Sequence, residues 1–228
     1  MTEAVANKSQ PLSKGCTHCG ASYSSEHFCP ECKRIQPVEP GGDFFAFIGL
    51  PCKLGLDEAE LEKSFYALSR QFHPDYFMSA SEAERQASME RSSMLNDAYR
   101  TLRDRVARAE YLLSLEGYKE AEKKAPADLL EEVFELNLQI EELKAAKKMA
   151  DEDEITEAVA SLEDALTGLR ARLAEIDERL FTHFEQWDSV LENSSASGEK
   201  KIVLDGMSEL LSHRSYIRNL VRDITEVL

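Results

Sequence analysis

Positive charge is scarce in this chain. Its 228 residues include 27 Lys and Arg against 43 Asp and Glu, a formal charge of −16. A dedicated nucleic-acid binder needs a basic face to neutralise phosphates, so this balance argues against that class. It argues equally against docking on an anionic membrane. Long apolar runs are missing too, with nothing near the roughly 18 residues that span a bilayer. Met1–Gly15 has neither the apolar stretch of a secretory signal nor the Arg-rich pattern of a transit peptide. The expectation is therefore a cytoplasmic protein, bacterial rather than mitochondrial. No segment sustains the period-two alternation of a sheet, which leaves an all-α fold. Cysteine is sparse but not random: four of the five lie in C-x-x-C pairs, the pattern of a metal site in a reducing compartment rather than a disulfide framework.

What is present divides into three segments. Pro37, Pro40, Gly41 and Gly42 break the chain after the cysteines, and Gly117–Pro126 reads as a second linker. The resulting units are residues 1–42, 43–117 and 118–228. The last holds twelve of the sixteen excess negative charges. In the middle segment a short apolar stretch, Phe44–Leu50, ends at Pro51. Leu61, Phe65, Leu68 and Phe72 then mark one face of an amphipathic helix, with Asp57 and Glu60 as its capping pattern. A second, long helix opens at a Ser81/Glu84 capping box and carries Leu95, Tyr99, Leu102, Val106, Ala109 and Leu113 on one side. In the last segment a heptad-like seam runs from Ile155 through Leu180 to Phe184 and Trp187, ending near Ser194–Gly198. It is flanked by Leu129, Val133, Leu136, Ile140 and Leu143 on one side, and by Met207, Leu210, Ile217, Val221 and Ile224 on the other. Three such helices with short loops predict an antiparallel bundle.

Cys16-Thr-His-Cys19-Gly and Cys29-Pro-Glu-Cys32 form two knuckles. Each two-residue gap lets a tight turn aim both sulfurs at one ion, and Gly20 relieves the first turn. Four thiolates suit a structural zinc, although a rubredoxin-like iron site has the same spacing. So short a knob, with few large apolar residues, cannot fold by burial alone, and metal binding worth roughly 10–16 kcal/mol supplies what the core lacks. A catalytic zinc needs an open position that four protein ligands deny. Dithiol redox chemistry at Cys29–Cys32 lacks its usual βαβ setting. His18 and His27 read as bystanders, and Cys52 as ordinary core.

His73-Pro74-Asp75 at the end of the first amphipathic helix is sound local chemistry by itself: His suits a helix C-terminus, Pro stops the helix and Pro-Asp starts a turn. Its setting is more specific. A short helix, a helix ending in His-Pro-Asp and a long antiparallel helix together resemble the J-domain of DnaJ-type co-chaperones. Asp43-Phe-Phe-Ala-Phe-Ile-Gly-Leu-Pro51, Arg70-Gln-Phe-His-Pro-Asp75, Leu95-Asn-Asp-Ala-Tyr-Arg-Thr-Leu102 and Arg108-Ala-Glu-Tyr-Leu-Leu-Ser-Leu115 resemble one branch, the HscB co-chaperones of iron–sulfur cluster assembly. The resemblance extends over about residues 43–228, and a four-cysteine N-terminal extension also occurs in part of that family.

The resemblance implies a J-domain over 43–117 and a client-binding three-helix domain over 118–228, with no catalytic residue. In the family the His-Pro-Asp loop meets an ATPase chaperone of the DnaK/HscA type and accelerates its ATP hydrolysis. Asp75 would pair with a chaperone arginine, with His73 and Pro74 fixing the loop and Lys63 and Arg70 supplying basic contacts. Such a charge-assisted bond contributes roughly 1.5–3 kcal/mol. This chain departs from the common pattern in that Asp57, Glu58, Glu60 and Glu62 outnumber those two cations, and Tyr76 stands where many J-domains have Lys. The same resemblance implies an IscU-type scaffold as client, held at Leu130, Phe134, Glu135, Leu138 and Tyr216. Leu138 stands where the family often has an acid. Leu130, Phe134 and Leu138 also form a second apolar stripe beside the core stripe, which is extra buried face, contact with the middle segment, or exposed client surface. On the last helix, Ile217 and Val221 are in core register while Tyr216 and Leu220 lean aside. The alternatives are a general DnaJ-like co-chaperone, a coiled-coil adaptor for which the tripeptide is superfluous, and a metal-dependent enzyme, for which no general base is apparent.

Overall fold

The computed structural model describes residues 14–23, 27–38, 41–118, 129–193 and 197–228. Most of the expected Gly117–Pro126 linker, the break at Pro40, the end of the seam at Ser194 and residues 1–13 lie outside that set. Among the described residues are seven α-helices: α1 (Phe44–Ile48), α2 (Glu58–Phe72), α3 (Glu82–Arg103), α4 (Arg105–Leu115), α5 (Leu130–Met149), α6 (Glu152–Glu192) and α7 (Ser197–Val227). The only strands among them, β1 (Lys14–Gly15) and β2 (Ser22–Tyr23), pair antiparallel around the first cysteine knuckle and leave the fold class all-α. No described helix is long and apolar enough to cross a membrane. By packing, the described residues form two compact units, one within residues 1–52 and 57–103, the other within 53–56 and 104–228.

In the first unit, local chemistry sets each helix end. Asp43 accepts the Phe45 N–H at 2.9 Å to open α1, and Gly49 closes it at φ +82°. Asp57 accepts the Ala59 N–H at 2.9 Å to open α2. Buried Leu61 and Phe72, with Phe65 stacked on Tyr99 at 4.2 Å between ring centroids, seat α2 on α3. Pro74 forces the residue before it out of the helical region, so α2 stops and His73 turns to ψ 124°. A 3-10 turn, Pro74–Phe77, follows. Ser81 and Glu84 form the expected reciprocal cap, with the Ser81 N–H donating to Glu84 Oε2 at 3.2 Å and the Glu84 N–H to Ser81 Oγ at 3.4 Å. Hydrogen bonding from Ser81 holds the Glu84 carboxyl below its ordinary pKa. Cys52, expected in the core, is only half-buried.

The long helix expected through Leu113 is divided. Asp104 adopts an extended φ of −79° and ψ of 121°, and its Oδ1 accepts the Val106 and Ala107 N–H groups at 2.9 and 2.8 Å. The apolar period continues through the break, which is why periodicity alone missed it. A short aspartate side chain competes for backbone donors and starts α4 instead.

In the second unit α6 packs on both α5 and α7, and α4 lies against α7. Ala150 in the left-handed region and Asp151, which accepts the Glu154 N–H at 3.1 Å, turn α5 directly into α6. The seam residues Leu162, Leu166, Leu169, Ile176, Leu180, Phe184 and Trp187 are buried against Leu136, Ile140 and Leu143 of α5 and Met207, Leu210, Ile217 and Ile224 of α7. Each fully buried aliphatic or aromatic side chain contributes about 1.5–3 kcal/mol. The register of α7 needs one correction: Leu220 is buried and Val221 is half-buried, the reverse of the expectation. The core stripe of α7 is wider than a single heptad seam because α4 and α5 as well as α6 pack against it. Asp188 of α6 accepts the Leu54 and Gly55 N–H groups at 2.8 and 2.7 Å and so fastens residues 53–56 to this unit.

Candidate functional site

The His-Pro-Asp turn projects from a fixed base. Phe72, the last residue of α2, is fully buried, and its carbonyl accepts both Ser88 Oγ at 2.6 Å and Ser92 Oγ at 3.0 Å from α3. From that anchor the chain emerges into solvent. The Asp75 N–H donates to His73 Nδ1 at 3.3 Å, and the Tyr76 N–H to the His73 carbonyl at 3.0 Å. Asp75 Oδ2 also approaches the same nitrogen, at 3.6 Å. The Asp75 side chain is 76% exposed. It is an acid group on a short, internally bonded turn, aimed outward and available to an external cation. Lys63 and Arg70 are exposed on α2, and seven residues' spacing puts them on one face two turns apart. Arg70 Nε reaches back to the Tyr66 carbonyl at 3.3 Å.

The four cysteines converge. All four sulfurs lie within 4.8 Å of one another, with Cys16 and Cys32 at 3.6 Å and Cys19 and Cys29 at 3.7 Å. A tetrahedron with metal–sulfur bonds of about 2.3 Å has edges of about 3.8 Å, so these separations suit one ion, whereas a disulfide requires about 2.05 Å. The two knuckles are built alike. The Gly20 N–H donates to the Cys16 carbonyl at 3.0 Å, and the Lys33 N–H to the Cys29 carbonyl at 2.9 Å. Both turn residues are left-handed, Gly20 at φ +74° and Lys33 at +60°. Glycine at the first position was a legible signal; lysine at the second was not. Backbone N–H groups of Cys19 and His18 lower the Cys16 thiol to about 6. At Cys32 the Arg34 N–H favours the thiolate, but burial and the neighbouring sulfurs outweigh it and push the thiol up to about 12. Crowding of this kind is relieved when a cation shares the sulfurs.

His27 turns away from the sulfurs. Its ring meets Phe47 and Phe72 edge-on at 4.9 and 4.8 Å, and its Nδ1 lies 2.6 Å from Arg91 Nη1. Burial first, and then the Arg91 charge, lower its pKa to about 4, so the neutral imidazole accepts from the guanidinium. Arg91 itself escaped notice in the sequence. Its signal was there: an arginine in the stripe Ala87, Arg91, Leu95, Ala98, Leu102, all of which are buried.

On α5, Leu130, Phe134 and Leu138 are 55%, 72% and 52% exposed, while Leu136, Ile140 and Leu143 fill the core. Four-residue spacing places the three exposed side chains one turn apart on a single face, with Glu135 exposed next to Phe134. The stripe is therefore not extra buried face of the bundle. Tyr216 of α7 is half-buried.

The family of the DnaJ domain matches residues 43–111. The iron–sulfur cluster co-chaperone protein HscB of Mus musculus is 30% identical over 194 residues, covering 82% of this chain and 76% of that one. The Homo sapiens protein of the same name is 30% identical over 180 residues, covering 76% and 71%. The crystal structure of human HscB shares the fold, with a TM-score of 0.63 at 24% identity over 93% of this chain and 98% of that chain. An outward-facing His-Pro-Asp turn on a J-domain hairpin, continued by a three-helix bundle at this level of identity, means that the chain belongs to the HscB family of iron–sulfur cluster co-chaperones.

Proposed function

We propose that this protein stimulates ATP hydrolysis by a DnaK/HscA-type chaperone and delivers an IscU-type scaffold to it. The observation that carries the reading is the exposed Asp75 carboxylate on a turn anchored through Phe72. The turn is already ordered, so little conformational entropy is lost when a chaperone arginine pairs with Asp75. The co-chaperone breaks no bond itself. It binds the hydrolysis-competent state of its partner more tightly and shifts the population toward it. Arg70 and Lys63 flank the contact, His73 and Pro74 hold the turn, and Leu130, Phe134, Glu135, Leu138 and Tyr216 form the client face. In this reading residues 1–42 are a metal-binding extension, 43–117 the chaperone-binding J-domain and 118–228 the client-binding domain. The metal is zinc, held by Cys16, Cys19, Cys29 and Cys32 in a closed structural shell. A thiol-reducing compartment, such as a bacterial cytoplasm, suits these unpaired cysteines.

The test is ATP turnover by the chaperone with and without the full chain, scaffold added or omitted. Stimulation by the wild type should fall by about 10–100-fold in Asp75→Asn, the loss of a charge-assisted bond of roughly 1.5–3 kcal/mol. Equal stimulation by the two proteins refutes the mechanism.

A further inference from the structure

The knuckle of Cys29 and Cys32 sits at the tip of a small hairpin whose base is gripped by α3. Phe28 and Ile35 bridge its two arms, and the Gln36 N–H donates to the His27 carbonyl at 3.0 Å. Below them Arg91, only 6% exposed, donates from Nε to the Gln36 carbonyl at 2.6 Å and from Nη2 to the Pro37 carbonyl at 3.1 Å, while Nη1 meets His27 Nδ1 at 2.6 Å. One guanidinium thus holds three points on the base of the hairpin, a fork that lysine cannot reproduce. The other side of that contact is Phe72. Arg91 lies 5.8 Å from its ring centroid, and His27 and Phe28 approach the same ring at 4.8 and 6.1 Å. Phe72 directly precedes His73. The hairpin carrying half of the metal ligands and the residue anchoring the His-Pro-Asp turn therefore share one packed cluster of Arg91, His27, Phe28, Phe47 and Phe72.

We infer that Arg91 is a positioning residue that couples the four-cysteine knob to the His-Pro-Asp turn, so that the order of the knob sets the order of the turn. Without an ion, four crowded sulfurs no longer hold the hairpin closed, and the contacts of His27 and Phe28 on Phe72 loosen with it. The turn then samples more conformations, and Asp75 meets its partner less often in the productive geometry. The consequence for chaperone stimulation rests on the function proposed above; the link from knob to turn does not.

The turn carries its own reporters, the Asp75 and Tyr76 amides, whose bonds to His73 exist only when it is formed. Hydrogen exchange is measured on the full chain as purified with zinc, after stripping by a chelator, and in Arg91→Lys and His27→Leu. Stripping and both substitutions should each speed exchange at Asp75 and Tyr76 at least five-fold, while amides in the middle of α6 stay protected. In the ATPase assay the half-maximal concentration of co-chaperone should rise by a similar factor with the plateau kept, because the carboxylate itself is intact. A role confined to holding the fold would move protection throughout α2 and α3 together and would overturn the inference. So would unchanged turn protection in a stripped protein whose Cys29 and Lys33 amides exchange freely. Should a substituted protein fail to fold, the stripped wild type decides alone. Failure of the wild type to stimulate any chaperone would sink the proposed function and leave the exchange result standing.

Discussion

Phe134→Ala probes the proposed client face at its most exposed apolar side chain. A phenylalanine side chain offers roughly 150–250 Å² of surface, and this one is 72% exposed, so about 140 Å² is available to a partner. Burying all of it at about 25 cal/mol per Å² is worth about 3.5 kcal/mol. Alanine retains the share of the first side-chain carbon, and ring edges at an interface rim stay wet. The expected loss is therefore about 2 kcal/mol, or about 30-fold in Kd for the IscU-type scaffold. No cavity results, because the core of α5 is made by Leu136, Ile140 and Leu143 rather than by this ring. Thermal stability should accordingly be unchanged. Basal stimulation of the chaperone should also be unchanged, since Phe134 and Asp75 belong to different compact units. Calorimetric titration of the scaffold into wild type and variant measures the effect directly. A folded Phe134→Ala protein that binds within two-fold of wild type would refute the assignment of this face.

Two further outcomes follow from the geometry. Elemental analysis should find one zinc per chain, reduced to well under half in Cys32→Ser, and chelation should abolish the protection of the Cys29 and Lys33 amides while α5–α7 melt as before; a chain purified metal-free with an ordered knob contradicts this. Asp188→Ala should cost about 1–3 kcal/mol in a denaturant titration, because the Leu54 and Gly55 N–H groups lose their shared carboxylate. An unmoved midpoint would show that water satisfies those donors equally well.

Periodicity read most of the helices correctly because each has one buried stripe, and it failed where two rules met. At Asp104 the apolar period ran straight on while a capping side chain ended one helix and began the next; a rule about spacing cannot see a local hydrogen bond that competes with it. At Leu220 and Val221 the error came from assigning α7 a single seam, when α4, α5 and α6 all pack against it. The knuckles were legible because metal geometry is local: two residues between sulfurs leave few ways to aim them. The exposed stripe Leu130, Phe134, Leu138 was legible as a pattern but not as exposed, since the sequence cannot say how wide a face the bundle covers. Arg91 is the instructive miss. A charge inside an apolar stripe announces a buried partner, yet its partners lie 54 to 64 residues away on a hairpin whose sequence speaks only of sulfur. Two of the three are backbone carbonyls, which any residue would present. Long-range contacts between a side chain and the main chain leave no signature at the accepting end, so this link between the cysteine knob and the His-Pro-Asp turn emerges only when the chain is folded.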